Sequence, residues 1–294
     1  MFQGVYTALI SPFKSDGSLD HAAYEKLVEW QFRSGVQGVV PCGTTGESPT
    51  LDMEEQLWLI RCAVDINARL KNGQQVIAGT GSNHTGKAIK RTQIAQNAGV
   101  DAAMLVVPYY NKPSEEGLYQ HFKAIHDATD IPLILYNIPG RAVLNMSDRL
   151  IARLAELPRI VALKDATGDL ARVSTLRMLA GPDFVQLSGE DMTALAFNAQ
   201  GGRGVISVTS NIAPKLCVAL QNAWFGGDMS AALSLQDQLA PLHQAMFIET
   251  SPGPVKYAAS KLGLCGMNLR LPLVPPTEAT RKTMDEALKK AGLI

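Results

Sequence analysis

Over roughly the first two thirds of the chain, short apolar runs alternate with longer amphipathic segments, and this alternation sets the expected architecture. Eight runs read as buried strands, at residues 5–10, 38–41, 75–79, 102–107, 132–137, 160–164, 184–188 and 204–208. Helical patterns lie between them. Tyr24, Leu27 and Val28 mark the apolar stripe of the first, Leu57, Ile60 and Val64 that of the second, and Leu118, Phe122 and Ile125 that of the fourth. Asp52 and Glu55 have the spacing of a capping box, and Pro113-Ser114-Glu115-Glu116 supplies a cap followed by acidic first-turn residues. Eight βα units with short connections predict an α/β fold, a closed (β/α)8 TIM barrel, in preference to an open doubly wound sheet.

After Asn211 the strand signals stop. A last barrel helix is expected from Pro214 to about Trp224, and the remainder is helical in pattern to Ile294, punctuated by Pro252, Pro254, Pro272, Pro275 and Pro276. The expected organisation is therefore a catalytic barrel over residues 1–225 and a small helical domain over residues 226–294.

Composition narrows the function classes. The chain has 294 residues, 46% apolar and 18% charged, enough for a large core. Its 27 basic and 27 acidic residues cancel, so no global field favours nucleic acid or an anionic membrane. Cys42, Cys62, Cys217 and Cys265 are scattered and form no C-x-x-C pair, as expected of reduced thiols. The amino terminus lacks a basic segment ahead of an apolar core, and no uncharged run approaches a membrane span, so a cytoplasmic location is expected.

The chemistry begins with Lys164, which ends the apolar run Ile160-Val161-Ala162-Leu163. Period-two alternation puts Ile160, Ala162 and Lys164 on one face, with the amine emerging at the carboxyl end of the strand. Desolvation there favours the neutral amine, a nucleophile for carbonyl carbons. The competing reading is a strand-end lysine paired with Asp165 or Asp169.

Other strand ends add candidates. The second runs into Gly43-Thr44-Thr45-Gly46-Glu47, whose backbone N–H groups and hydroxyls suit a carboxylate, or equally an ST-turn. The fifth ends in Tyr136-Asn137-Ile138-Pro139-Gly140-Arg141, with Ile134 and Tyr136 on one face. Tyr136 is either a proton carrier or a core tyrosine, and Arg141, on a Pro-Gly turn, suits a bidentate grip on a carboxylate. Tyr109 and Tyr110 follow the fourth strand as adjacent loop aromatics, candidates also for packing or a subunit contact.

Several signals point elsewhere and fall short. The segment from Gly81 to Lys87 nearly matches a phosphate-binding loop, but Ala88 stands where a Mg²⁺-binding hydroxyl belongs. Gly201, Gly202 and Gly204 precede a strand and do not open a helix, unlike a dinucleotide fingerprint. The five histidines have no metal-ligand spacing, and no G-x-S-x-G is present.

Lys164, Tyr136 and the Gly-Thr-Thr-Gly-Glu turn, with Gly79-Thr80-Gly81, Pro108-Tyr109-Tyr110-Asn111, Leu187-Ser188-Gly189 and Gly204-Val205-Ile206-Ser207, resemble the pyruvate-dependent Schiff-base class I aldolase family, and within it the dihydrodipicolinate synthases. The likeness runs over essentially the whole chain. It implies a lyase that condenses pyruvate with L-aspartate 4-semialdehyde in lysine and diaminopimelate biosynthesis, assembled as a homotetramer of two tight dimers, with no metal or organic cofactor. It implies an imine on Lys164, pyruvate carboxylate binding by Thr44 and Thr45, and Tyr136 as general acid and base. Proton relay through Thr45 to Tyr110 of a neighbouring subunit is implied too, with Arg141 on the second substrate and Gly189 and Ile206 lining the pyruvate end. Ala142 departs from the threonine often found after the arginine.

Related sugar-acid aldolases, such as N-acetylneuraminate lyase and 2-keto-3-deoxy sugar acid aldolases, share the lysine and tyrosine; Arg141 and the Thr44-Thr45 pair favour the synthase. A non-catalytic barrel that binds an oxo acid is the alternative from another class. In the resembling family an L-lysine effector site corresponds to Ser48, Asn83 and Tyr109, with Pro49, Met53, Gln56 and Lys87 around them. Met53, Gln56 and Lys87 differ in kind from lysine-sensitive members, and a cationic Lys87 opposes a cationic ligand, so weak or absent sensitivity is expected.

Overall fold

The computed structural model describes residues 2–294. Eight strands, β1 (Gly4–Ala8), β2 (Gly38–Val40), β3 (Gln75–Gly79), β4 (Ala102–Val106), β5 (Leu133–Asn137), β6 (Ile160–Asp165), β7 (Val185–Ser188) and β8 (Gly204–Ser207), close into a barrel in chain order. Each lies on one of the eight expected runs, and helices separate them, as the right-handed crossover between parallel neighbours requires.

Contacts gather the chain into two units. One contains Val76–Ile206 with the amino-terminal residues through Gln3; the other contains Gly4–Gln75 and Ser207–Ile294. In the first unit, β4, β5 and β6 pair in register, and their alternate residues Leu105, Leu133, Leu135 and Leu163 turn outward to a buried cluster. That cluster is completed by Phe122 and Ile125 from the helix Glu115–Asp127 and by Ile151 and Leu154 from the helix Asp148–Ala155. The opposite residues, Ile134, Tyr136, Ala162 and Lys164, are buried outside it.

One expected face is corrected. Ile160 shares the helix-facing cluster with Leu163, while Ala162 and Lys164 do not. The register of β5 with β6 skips Val161, pairing Leu133 with Ile160 and Ile134 with Ala162, so the irregularity flips the strand's first residue to the other side.

In the second unit β1 pairs with β2, and the helix Met53–Leu70 opens with the capping box formed by Asp52 and Glu55. Its buried stripe is Gln56, Leu59, Ile60, Ala63 and Ile66; Leu57 and Val64, expected inside, are only half-buried. The stripe is rotated because Gln56 is drawn in, its amide donating to the carbonyls of Ser48 at 3.3 Å and Leu51 at 3.2 Å.

The helix Pro214–Phe225 ends one residue from its expected limit. Beyond it come the helices Met229–Ala245, Gly253–Lys261 and Glu278–Lys290. The segment 262–277 is not helical, contrary to the pattern read there: Gly263, at φ 70°, follows the end of the helix Gly253–Lys261, and Pro272, Pro275 and Pro276 further on cannot donate to a helical ladder. Among the described residues no helix is long and apolar enough to cross a membrane.

Candidate active site

The first unit carries Lys164, the candidate nucleophile. Lys164 is the fifth residue of β6, register partner of Tyr136 on β5 and of Leu187 on β7, and only 5% of it is exposed. Its Nζ stands 4.1 Å from the centroid of the Tyr136 ring. Burial pushes the amine from the ordinary lysine value of 10.5 down to about 8; Asp191 and Glu190 oppose the shift and the Arg141 charge adds to it. A ring face is a weak substitute for water around an ammonium, so desolvation wins.

The pairing that competed with this reading goes elsewhere. Asp165 takes the N–H of Thr167 at 2.8 Å and faces Arg172 at 3.8 Å, and Asp169 takes the N–H of Ala171 at 3.0 Å. Burial raises the Asp165 carboxyl above its usual range, against the pull of Thr167 and Arg172. Arg172 is itself buried and gathers Asp148, Asn145 Oδ1 at 2.9 Å and the Met146 carbonyl at 2.8 Å. Asn137, next to Tyr136, donates to Asn145 Oδ1 at 2.8 Å and accepts the Met146 N–H at 3.1 Å. The residues that follow Tyr136 and Lys164 in sequence are therefore tied to one buried cluster, which sets where both strands end.

Gly189 follows β7 and leaves Lys164 its room. A Cβ there would lie 2.8 Å from Ala166 Cβ, 3.0 Å from the Asp165 carbonyl and 3.2 Å from Lys164 Cε. Its N–H donates to the Asp165 carbonyl at 2.6 Å, which holds the close approach. Ile206 is fully buried in β8. Arg141 sits on the single helical turn Pro139–Ala142, where a Pro-Gly turn was expected; it is exposed, and Val143 after it is left-handed at φ 67°. A β-branched residue in that region is strained and persists only where its surroundings fix it.

Tyr110 is also left-handed, at φ 74°, and 88% exposed, so nothing in its own unit covers the ring. Its neighbour Tyr109 accepts the Asn83 side-chain amide at 3.2 Å, and Asn111 donates to the Asn83 carbonyl at 2.9 Å. Asn83 and Tyr109 are thus brought together. The near phosphate-binding loop is built for other contacts: a Cβ on Gly81 would meet the Val106 nitrogen at 2.4 Å, and the His84 ring accepts the Lys87 N–H at 3.2 Å.

In the second unit the Gly43–Glu47 stretch forms a tight turn. Gly46 and Ser48 N–H groups return to the Gly43 carbonyl at 3.1 and 3.3 Å, and Glu47 N–H returns to Thr44 at 3.0 Å. The amides of Thr44 and Thr45 lie outside these bonds, as an anion nest requires. Thr45 is buried and Thr44 half-buried. Ser48 starts the 3₁₀ turn Ser48–Thr50. Sequence reasoning missed two residues of consequence, Arg172 and Lys256. The second has a signal: a lysine inside Pro254-Val255-Lys256-Tyr257-Ala258-Ala259 is as apolar a setting as that of Lys164.

Known proteins resemble this chain over essentially its whole length. The dihydrodipicolinate synthetase family matches residues 1–291. The chain is 56% identical over 294 residues to a 4-hydroxy-tetrahydrodipicolinate synthase of Rhodospirillum centenum, with both chains covered in full. A chloride-inhibited dihydrodipicolinate synthase from Acinetobacter baumannii, complexed with pyruvate, superposes with a TM-score of 0.96 at 44% identity over all of both chains. A synthase from Cyanidioschyzon merolae with lysine bound gives a TM-score of 0.96 at 37% identity, covering 100% of this chain and 99% of the other.

Proposed function

The chain belongs to the dihydrodipicolinate synthetase family, and on that basis we propose that it is a lyase condensing pyruvate with L-aspartate 4-semialdehyde through an imine on Lys164, giving 4-hydroxy-tetrahydrodipicolinate. The observation that carries the reading is the buried Lys164 amine, lowered to about 8, against the Tyr136 ring. An amine in that range is part neutral at physiological pH, and a neutral amine attacks the pyruvate ketone.

The steps follow from the groups available. Lys164 Nζ adds to the ketone carbon and water leaves, forming the imine. Loss of a methyl proton gives the enamine, with the imine nitrogen as electron sink. The enamine methylene then attacks the aldehyde carbon of the second substrate, forming the carbon–carbon bond. The amine of that substrate attacks the imine carbon, closes the ring and expels Lys164.

The supporting roles are part of the same proposal. Tyr136 moves the protons, in line with its buried place one strand from the amine. Thr44 and Thr45 hold the pyruvate carboxylate, consistent with their uncommitted amides, and Gly189 and Ile206 bound the pyruvate end. Arg141 takes the carboxylate of the semialdehyde. Thr45 relays protons to Tyr110 from a second copy of the chain in a homotetramer of two tight dimers; the 88% exposure of Tyr110 fits a ring that a neighbour covers. No metal or organic cofactor is needed for these steps, and the cytoplasm is the proposed location.

Ser48, Asn83 and Tyr109 form the proposed effector position, with weak or no response to L-lysine. Lys87 is exposed in the first turn of the helix Thr85–Asn97, which begins just after Asn83, and its charge opposes a cationic ligand. Near-complete inhibition by submillimolar L-lysine contradicts this.

The test of the reaction is pyruvate consumption by the purified protein with L-aspartate 4-semialdehyde, beside N-acetylmannosamine and glyceraldehyde. Turnover with the semialdehyde alone is expected. Turnover only with a sugar aldehyde overturns the substrate.

A further inference from the structure

The second unit contains another buried lysine, and its chemistry is the opposite of that of Lys164. Lys256, in the helix Gly253–Lys261, has no exposed surface. Its Nζ lies 2.5 Å from Glu47 Oε1, and both side chains are fully shielded from water. The amine also donates to the Asn268 carbonyl at 2.8 Å and stands 4.0 Å from the centroid of the Phe13 ring. Burial lowers the amine's pKa, and Glu47 opposes the shift. A carboxylate in contact holds the ammonium as a charge pair, so Lys256 is no rival nucleophile.

Glu47 is the last residue of the Thr44–Glu47 turn and adopts a left-handed backbone at φ 55°. Its second oxygen accepts the Arg270 N–H at 3.1 Å. Arg270 extends the network: its guanidinium pairs with Glu55, donates to the Thr50 carbonyl at 2.7 Å and lies 4.3 Å from the Phe13 ring. The turn is thus fastened at its carboxyl end by groups from residues 256–270. A left-handed residue that is not glycine persists where its surroundings hold it, and here the side-chain contacts of Glu47 add to the backbone bonds of the turn.

We infer that Lys256 is a positioning residue for pyruvate binding, acting through the buried Glu47 carboxylate to fix the Thr44–Thr45 amides that receive the substrate carboxylate. This rests on the proposed role of Thr44 and Thr45. It gives the helix Gly253–Lys261 a part in substrate binding, through the turn that its Lys256 holds within the same unit. A buried pair is a poor device for stability alone, because apolar residues of the same volume do as well or better.

The experiment compares unaltered enzyme, Lys256→Met, Lys256→Arg and the double variant Glu47→Gln/Lys256→Met. Each is measured for pyruvate KM, semialdehyde KM and kcat, for melting temperature, and for mass gain at Lys164 after borohydride treatment with increasing pyruvate. Lys256→Met leaves a buried carboxylate alone and is the variant that risks folding; the double variant removes both charges and keeps the fold testable. The expected result is a pyruvate KM raised about 10- to 100-fold in Lys256→Met and in the double variant. Semialdehyde KM and saturated kcat change little, Lys164 still traps at saturating pyruvate, and Lys256→Arg recovers part of the loss. A double variant that melts like the unaltered enzyme and keeps its pyruvate KM overturns the inference. So does an equal rise in both KM values. Absence of any trapped adduct on Lys164 in the unaltered enzyme overturns the imine reading instead, so the two failures are distinct.

Discussion

Lys164 Nζ stands 4.1 Å from the centre of the Tyr136 ring, and the two residues are register partners on β6 and β5. The same strand pairing that builds the barrel therefore sets the distance between the proposed nucleophile and the proposed proton carrier. Backbone hydrogen bonds fix it more tightly than a loop does.

The pH dependence follows from Lys164. Only its neutral form attacks a ketone, and its pKa is about 8. The apparent kcat/KM for pyruvate should rise about tenfold per pH unit below that value and level off above it. Initial rates across pH at limiting pyruvate read this directly. A profile that stays flat from mildly acidic to alkaline pH argues against a titrating lysine nucleophile.

Burying this amine costs stability. Its pKa is about 8 in the fold against 10.5 ordinarily, so below pH 8 the unfavourable ammonium is carried in full. Between the two values the unfolded chain holds the proton the folded one has released, and stability rises with pH. Lys164→Met should abolish activity yet stabilise the fold at neutral pH by up to the order of 3 kcal/mol, with the gain fading toward alkaline pH. Denaturant melts of both proteins at neutral and alkaline pH check the sign; a destabilised variant contradicts it.

Gly189→Ala should crowd the lysine. The new methyl group would meet Ala166 Cβ at 2.8 Å and Lys164 Cε at 3.2 Å. The glycine is needed for space, and kcat/KM should fall about 100-fold with the barrel still folded. Kinetics beside far-UV circular dichroism separate lost geometry from lost structure. Unchanged kinetics remove Gly189 from the site.

Tyr136→Phe keeps the ring beside Lys164 and the β5–β6 register while deleting the hydroxyl. The expected loss in kcat is about 10²–10⁴-fold, the range of one positioned acid–base group. Borohydride trapping on Lys164 at long incubation should survive. Turnover equal to the unaltered enzyme assigns the protons elsewhere.

The barrel was legible because each strand is a short apolar run, and burial on both faces needs little more than that. The burial of Lys164 was legible for the same reason: a charge at the end of such a run stands out. Finer placement was not. Leu57 and Val64 read as inward until the Gln56 amide turned the helix by bonding Ser48 and Leu51. Ile160 read as facing with Lys164 until the skipped Val161 reversed it. Both depend on partners outside the local pattern. The Glu47–Lys256 pair spans more than two hundred positions, and local periodicity carries no record of so distant a partner. Arg172 was invisible for a similar cause, since its binding of Asn145, Asp148 and Asp165 exists only once β6 has folded beside the preceding loop.

Reducing the protein with borohydride in the presence of pyruvate and mapping the modified peptide by mass spectrometry tests directly whether Lys164 forms the imine. One adduct is expected, on Lys164, formed faster as pH rises toward 8 and absent from Lys164→Met. An adduct on Lys256, or no pyruvate-dependent adduct at all, contradicts it.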